Sequence, residues 1–151
     1  MELEIIDVQI LRLLKQNAKI SIKEIANKVG LSTTPVFERI KKLERTKIIE
    51  SYTIKLNRAK IGKPLRILCQ ISLKEHSKSA IEVFEKEITE LQEINECLHV
   101  AGNYDYLLLL EMKDVQYYER FLKDKLAKMS NISNVNSSFV LGTVAQNGLN
   151  I

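Results

Sequence analysis

The chain has 151 residues, of which 45% are hydrophobic and 28% charged, with only 5 glycines and 2 prolines. This composition is typical of a globular protein and excludes collagen-like and low-complexity classes. The longest apolar run, residues 106–110, is far shorter than the roughly 20 residues that span a bilayer. Residues 1–63 contain 14 Lys and Arg and 7 Asp and Glu, whereas residues 64–151 contain 9 Lys and Arg and 12 Asp and Glu. The first half of the chain is therefore basic, as suits a partner that is a polyanion, and the second half is acidic.

The first 30 residues predict two helices. The first helix has one apolar face, formed at helical spacing by Ile6, Ile10, Leu13 and Leu14. Residues 17–19 interrupt this period, and Ser21 with Glu24 then forms a capping box at the start of the second helix. Gly30 is suited to end that helix, because glycine adopts the left-handed conformation of a tight stop.

A third helix follows, capped by Ser32 or Thr33, with Pro35 tolerated in its first turn. Its inner face is formed by Val36, Ile40 and Leu43. At about 100° per residue the outer face carries Thr34, Glu38, Lys41, Lys42 and Arg45, with Phe37 and Arg39 on the flanks. A short helix, a glycine turn and a helix with a basic outer face predict a helix-turn-helix.

After this helix the apolar period changes to two, since Tyr52, Ile54 and Leu56 alternate with polar residues. The alternation predicts a β-ribbon in the place of a wing. The alternative is a plain three-helix bundle with a solvated basic face. The capping box, glycine turn, ribbon and charge all agree, which favours a winged helix-turn-helix domain over residues 1–56.

Residues 57–64 predict a short ordered hinge, because they contain Gly62 and Pro64 but no Ser-rich or repetitive sequence. The remainder, residues 65–151, predicts two strand–helix–strand units. Strands are expected at residues 65–73, 96–101, 106–112 and 137–145, with helices capped by a Ser79–Glu82 box and by Asp114.

The order βαββαβ predicts an α+β, ferredoxin-like domain whose two helices cover one face of a four-stranded antiparallel sheet. The other face then carries Leu68, Leu98 and Val100 with nothing to cover them. An exposed apolar face of that size predicts self-association.

Several segments together resemble one family. They are Asp7, Ile10 and Leu11, then residues 17–19 (NAK), 24–26 (EIA), 29–32 (VGLS), 35–36 (PV), 39–44 (RIKKLE) and 48–49 (II). This pattern resembles the winged-helix domain of the Lrp/AsnC regulators, the feast/famine transcription factors of bacteria and archaea. One departure is Lys47, where the family usually has glycine. Either Lys47 is left-handed, at a cost of about 1 kcal/mol, or the turn has another shape.

The resemblance implies a DNA-binding transcriptional regulator that acts on near-palindromic double-stranded DNA. Its DNA-binding residues are then Ser32, Thr33, Thr34, Phe37, Glu38, Arg39, Lys41, Lys42 and Arg45. Of these, we expect Lys41, Lys42 and Arg45 to contact phosphates and the residues at the helix start to read base edges. The second domain resembles the family's ligand-sensing module, which is similar to amino-acid-binding ACT domains, pairs face to face into homodimers and often assembles further, for example into octamers.

The turn at residues 101–106 (AGNYDY) looks like the family's G-x-Y-D-Y signature, near which a small effector, usually an amino acid, binds between dimers. Asp105 offers a carboxylate to an ammonium group, and Gly102 lets backbone amides approach a carboxylate. The candidate effector residues are Gly102, Asn103, Tyr104, Asp105, Tyr106, Ser137 and Ser138. The alternative is a hairpin with a glycine turn and a capping aspartate.

Catalysis finds little support, because the sequence has no P-loop, G-x-S-x-G or HExxH motif. Cys97 and His99 form only a C-x-H pair, whereas a closed zinc site takes four ligands. Cys69 and Cys97 are expected to be buried thiols in a reducing cytosol, and residues 1–20 do not resemble a secretory signal. We therefore expect a cytoplasmic regulator with no catalytic residues, metal, cofactor or membrane partner. Two alternatives stay open: a tetrapyrrole decarboxylase of similar two-domain architecture, and a small-molecule-binding module that does not bind DNA.

Overall fold

The described residues divide into two units, one that runs up to Lys55 and one from Leu56 to Ala145. The computed structural model describes residues 3–145. Within that range no helix is both long and apolar enough to cross a bilayer. Each unit has its own hydrophobic core.

The first unit contains the three predicted helices, α1 (Ile5–Gln16), α2 (Ile22–Val29) and α3 (Thr33–Arg45). Each helix contributes one apolar stripe to a single core. The buried members of this core are Ile10, Ile25, Ala26, Val36, Ile40 and Leu43. The predicted helices and their inner faces are therefore confirmed.

Local signals set both ends of α2. The Glu24 amide donates to Ser21 Oγ at 3.2 Å, and the Ser21 amide donates to Glu24 Oε2 at 3.0 Å, so the predicted capping box is present. Gly30 ends the helix with φ 72°, and nothing lies within 4 Å of where a Cβ would be. The left-handed backbone, rather than lack of space, is therefore what favours glycine at this position.

The turn after α3 is left-handed at Lys47, where φ is 59°. The amides of Ile48 and Ile49 donate to the Leu43 carbonyl at 3.0 and 3.1 Å, which closes the turn. Of the two outcomes expected for this departure from the family pattern, the strained lysine is the one found. The turn keeps the shape that a glycine would give it, and the lysine bears the steric cost.

The β-ribbon predicted from Tyr52, Ile54 and Leu56 is wrong for the described chain, because residues 50–57 have no regular secondary structure. All three apolar side chains are exposed, Ile54 to 72%. A strand needs a neighbour to accept and donate its backbone hydrogen bonds, and residues 3–49 contain no strand that could pair with this segment. Tyr52 instead donates its hydroxyl to Glu44 Oε1 on α3 at 2.9 Å.

The second unit has the predicted βαββαβ order, and its antiparallel sheet has the strand order β2-β3-β1-β4. The core lies between this sheet and the two helices, as expected for a ferredoxin-like fold. The elements are β1 (Leu65–Leu73), α4 (Lys78–Thr89), β2 (Ile94–His99), β3 (Tyr106–Met112), α5 (Val115–Asp124), a 3₁₀ turn (Leu126–Lys128) and β4 (Ile132–Phe139).

Some predicted boundaries in this unit are wrong. The N-cap of α4 is Ser77, whose Oγ accepts from the Ala80 amide at 3.3 Å, so Ser79 lies inside the first turn and forms no capping box. The last strand covers 132–139 rather than 137–145, and β2 ends at His99 rather than at residue 101. Because β4 is an edge strand, its Asn and Ser side chains need no burial, and its polar sequence gave no strand signal.

One face of the sheet is uncovered within this unit, as predicted. Leu68 pairs with Leu109, and Leu98 pairs with Leu107, and along β1 and β3 these leucines alternate with residues whose side chains enter the core. These four leucines, which we call the open face, therefore point away from α4 and α5. Leu98 is 43% exposed.

The hinge region is ordered by its own hydrogen bonds. The Ile61 amide donates to the Asn57 carbonyl at 3.1 Å, and the Lys63 amide donates to the Arg58 carbonyl at 2.9 Å. The Arg58 guanidinium also forms an ion pair with Glu111 on β3. Residues 57–64 are thus a folded connector attached to the sheet rather than a flexible linker.

Replacing Lys47 by Gly should stabilise the first unit, because glycine removes the left-handed strain of about 1–2 kcal/mol. Glycine also raises the conformational entropy of the unfolded chain, but this destabilising effect is smaller than the strain that is removed. We expect the free energy of unfolding to rise by about 0.5–1 kcal/mol. Urea unfolding followed by circular dichroism measures it. Lys47→Ala is the matched control and should give no such gain, while Gly30→Ala should lose about 1 kcal/mol. Equal stability of the Gly and Ala variants at position 47 would contradict the assigned strain.

Candidate nucleic-acid interface and effector loop

The outer face of α3 presents most of the predicted DNA-binding residues to solvent. Exposed are Ser32, Thr33, Thr34, Phe37, Glu38, Lys41 and Arg45, whereas Arg39 and Lys42 are only partly exposed. Ser32 is the N-cap residue, but its side chain makes no capping hydrogen bond. Hydroxyl groups thus lie at the start of the helix, and cations lie along its outer side.

Lys41 is paired with an anion of its own helix. Its Nζ lies 2.9 Å from Glu44 Oε2 and 5.7 Å from the centre of the Phe37 ring. Glu44 also accepts the Tyr52 hydroxyl, and these two hydrogen bonds hold the pKa of Glu44 below its usual value. Glu44 is therefore ionised at neutral pH and acts as a local counter-ion for Lys41. Sequence analysis missed this role, because Glu44 lies between the two faces assigned to the helix.

Arg39 is engaged within the protein rather than directed to solvent. Its guanidinium donates to Asp7 Oδ1 at 2.9 Å and to Glu4 Oε2 at 2.9 Å, so α3 is ionically linked to the start of α1. Asp7 is only 3% exposed. The two carboxylates match the charge of Arg39 within the protein, and a contact of Arg39 with DNA stays a prediction. The sequence did carry a signal for Asp7, which precedes Ile10 by three residues and so shares its buried face.

Asp105 connects the loop at residues 102–105 to the end of β1. Its Oδ2 accepts the Leu73 amide at 2.7 Å, and its Oδ1 lies 2.9 Å from His76 Nε2. The Leu73 amide, followed by His76, lowers the pKa of Asp105. The capping role that the sequence left as an alternative is therefore present, and His76 is a partner that sequence reasoning missed.

The glycine of this loop faces open space. Gly102 does not have a positive φ, and nothing lies within 4 Å of where its Cβ would be. Neither backbone conformation nor packing within the chain requires glycine at this position. Asn103 is exposed and Tyr104 half-buried, so the accessible part of the loop is at residues 102–104.

Tyr106 belongs to the core rather than to the surface of the loop. It is 2% exposed, its ring packs 4.7 Å from that of Phe84, and its hydroxyl donates to Glu85 at 2.8 Å. Burial and the Glu85 carboxylate raise the pKa of Tyr106. The expectation that Tyr106 lines an effector site is corrected, because the phase of β3 directs its ring inward.

Ser137 and Ser138 lie on opposite faces of β4. Ser137 pairs with Cys69 across the sheet and hydrogen-bonds to the buried Tyr118 hydroxyl, so it is turned toward the helices. Ser138 pairs with Leu68 and is exposed on the open face. The loop meets β1 at Ile71, three residues from Leu68, or about 10 Å along the strand. Within one chain the structure therefore does not bring the two serines and the loop into one cluster, and Ser137 is a half-buried contact of Tyr118.

The cysteines are partly or fully buried thiols. Cys69 is buried and Cys97 is half-buried, and burial raises the pKa of each thiol. Among residues 3–145, no group of three or more His, Cys, Asp or Glu side chains is arranged to hold a metal ion.

Comparison with known proteins matches both units. Residues 3–50 match the model of a winged helix-turn-helix DNA-binding domain, and residues 66–149 match that of the Lrp/AsnC ligand binding domain. The leucine-responsive regulatory protein of Haemophilus influenzae is 35% identical over 144 residues, which cover 95% of this chain and 87% of that protein.

Solved structures show the same similarity. An AsnC family transcriptional regulator from Agrobacterium tumefaciens superposes with a TM-score of 0.91 at 30% identity, covering 98% of this chain and 97% of that one. A transcriptional regulator from Neisseria meningitidis, solved as a complex with L-methionine, also gives 0.91, at 28% identity and with 96% and 94% coverage.

Replacing Arg39 by Met should destabilise the first unit by about 2–3 kcal/mol, because it leaves the buried Asp7 carboxylate without its cation while keeping the aliphatic stem. Lys41→Met is the matched control. Its ion pair is exposed, so it should change stability by no more than about 0.5 kcal/mol. Urea unfolding measures both. Adding Asp7→Asn should recover part of the Arg39→Met loss, and strictly additive losses would contradict the pairing.

Proposed function

Because the chain belongs to the Lrp/AsnC family of transcriptional regulators, we propose that α3 reads operator DNA and that the loop at residues 102–105 senses an amino acid. The family assignment makes the chain a DNA-binding regulator rather than an enzyme. A regulator acts where the DNA is, and we place this one in the cytoplasm. The observation that carries the DNA proposal is the exposed outer face of α3, with its hydroxyls at the helix start and its cations beyond them.

We assign the residues of α3 to two kinds of contact. Ser32, Thr33, Thr34 and Glu38 lie at the end of the helix that enters the major groove in helix-turn-helix proteins, where base edges are read. Lys41 and Arg45 are exposed farther along and are assigned to phosphates. Phe37 lies between the two groups, and Lys42 is only partly accessible. Lys41 has to exchange Glu44 for a phosphate oxygen, and exchange at an exposed pair costs little.

Replacing Lys41 and Arg45 together by Ala should weaken binding to all DNA sequences alike. Each lost phosphate contact should reduce the slope of log affinity against log salt by about one. Fluorescence anisotropy at several salt concentrations, on an operator selected from random DNA and on unrelated DNA, measures both effects. The matched control is Lys86→Ala, an exposed lysine on α4. An unchanged slope would contradict the assignment, and equally weak binding of both DNAs by the unmodified protein would favour a module that does not read DNA.

The open face is assigned to a second copy of the chain. Its four leucines form an apolar surface that neither helix of the second unit covers, and Leu98 alone is 43% exposed. Apolar faces of this kind are ordinarily buried by association, and a two-fold dimer would present two α3 helices to a near-palindromic operator. Higher assembly, such as an octamer, would build on that dimer.

Replacing Leu98 by Glu should convert the dimer to a monomer, because it puts a charge into an apolar contact while leaving the core of the second unit intact. Sedimentation velocity at micromolar concentration distinguishes the two states. Val83→Glu is the matched control, since Val83 is an exposed apolar residue on α4, and it should remain dimeric. A monomeric unmodified protein, or a Leu98→Glu variant that still dimerises, would contradict this assignment.

The effector proposal rests on the chemistry of the loop and on its relatives. Asp105 offers a carboxylate to an ammonium group, and the open side of Gly102 leaves room for a carboxylate to approach backbone amides. One relative is named leucine-responsive, and another was solved with L-methionine. We therefore assign to the site a free amino acid with an apolar side chain.

Replacing Asp105 by Asn should lower the affinity for L-leucine or L-methionine at least about tenfold, because it removes the charge but keeps an acceptor for the Leu73 amide. Isothermal calorimetry measures the affinity, and DNA binding without effector should be unchanged. Asp124→Asn, at an exposed carboxylate on α5, is the matched control. An equal affinity in the Asp105→Asn variant would show that Asp105 only shapes the turn.

A further inference from the structure

Both histidines of the chain converge on the effector loop, although 22 residues of sequence lie between them. His76 lies in the segment between β1 and α4, and its Nε2 is 2.9 Å from Asp105 Oδ1. His99, at the end of β2, stacks on the Tyr106 ring at 4.5 Å, with its Nδ1 4.0 Å from Glu85. Each imidazole is therefore placed beside a carboxylate at the same end of the sheet.

The two oxygens of Asp105 are not equally available to a ligand. Oδ2 accepts the Leu73 amide at 2.7 Å, and that amide belongs to the fixed backbone of β1. Oδ1 is bonded to His76, whose side chain is 61% exposed and free to rotate away. An ammonium group that approaches Asp105 therefore meets the imidazole at Oδ1, and the outcome depends on the charge of that imidazole.

We propose that His76 is a positioning residue of the effector site. When its imidazole is neutral, the ammonium group of the effector displaces it from Asp105, and when its imidazole is protonated, it stays bound to Asp105. The inference rests on the proposed function, because it takes the loop at residues 102–105 as the effector site. A neutral imidazole makes one ordinary hydrogen bond to the carboxylate, whereas an imidazolium makes a charge-assisted one. It also repels the incoming ammonium group. Histidine is the residue whose charge changes between about pH 5 and 8, so the exchange responds to pH in the physiological range.

The other charges around the pair do not reverse this effect. His99 acts on Asp105 in the same direction as His76, but Glu85 lies beside His99 and accepts the Tyr106 hydroxyl. Cys97 and Tyr106 stay neutral, because burial raises the pKa of both. In the segment that holds His76, Lys74 is bonded to the Ser130 carbonyl, Lys78 pairs with Glu82, and Glu75 is an exposed carboxylate.

The sign of the pH effect follows from the competition. Effector binding displaces the imidazole, so it favours the neutral form and is coupled to proton release. Affinity is therefore highest where the imidazole is neutral, and it falls on acidification. Because one proton is involved, the fall approaches tenfold per pH unit at most, and we expect about three- to tenfold weaker binding at pH 6 than at pH 8.

Calorimetric titration with L-leucine and L-methionine at pH 6, 7 and 8 tests the proposal in the full-length protein. We expect the unmodified protein to lose affinity on acidification and His76→Gln to show a flat profile, since glutamine still donates to Oδ1 but carries no charge. His99→Gln is the matched control and should keep most of the fall. A flat profile in the unmodified protein, or a fall that persists in His76→Gln, overturns the proposal.

A second measurement needs no variant. Titrations at pH 6.5 in buffers with different ionisation enthalpies count the protons exchanged on binding. We expect release of a fraction of one proton. If no proton is exchanged, or if a proton is taken up, the role of His76 is overturned, even where the His76→Gln variant does not fold. The outcomes also separate the two proposals. Binding that is lost in Asp105→Asn but does not depend on pH overturns only the role of His76, whereas no binding at any pH overturns both.

Discussion

The buried carboxylate of Asp7 is the constraint on which the first unit depends. A carboxylate that is 3% exposed has lost most of its hydration, and only a fixed cation offsets that cost. Arg39 provides that cation and also bonds to Glu4, so a planar guanidinium joins α3 to the start of α1 at two points. Apolar packing alone tolerates small rotations of a helix, whereas a fork of two charge-assisted bonds does not. The orientation of the outer face of α3 relative to α1 therefore follows from one polar contact as much as from the core.

The parts of the fold that could be predicted are those whose information is local. The capping box of Ser21 and Glu24 and the stop at Gly30 depend on residues within one turn, and the sequence shows them directly. The predicted ribbon was wrong because alternation at Tyr52, Ile54 and Leu56 shows only that one side of the segment is apolar, and a strand is defined by a neighbour that sequence does not reveal. The polar β4 is the converse case, since pairing with β1 makes it a strand without an apolar pattern.

The candidate sites divide in the same way. A rigid helix turns about 100° per residue, so the exposed positions of α3 could be predicted by counting. Arg39 could not, because its flank position leaves its direction open and its partner Asp7 is 32 residues away. In the second unit the sequence motif identified the loop. The sequence did not show that the side chains of Tyr106 and Ser137 lie on the helix-covered face of the sheet, because a shift of one residue in strand register moves every side chain to the opposite face. The partnership of His76 with Asp105 crosses from one strand connection to another, which no local pattern encodes.

In both proposed sites, the charged group that would contact the ligand already has a partner within the chain. Lys41 forms an ion pair with Glu44, and Asp105 is hydrogen-bonded to His76, so binding at either proposed site is an exchange of partners and its free energy is a difference between two interactions. The two internal partners differ in chemistry. Hydrogen bonds from Lys41 and Tyr52 lower the pKa of Glu44, so it stays charged at any physiological pH and its competition with phosphate varies only with salt. His76 is of the residue type that changes charge in that range. On the two proposals, we therefore expect acidity to act on the effector loop and not on the Lys41 pair, because the internal partner is an imidazole in one case and a carboxylate in the other.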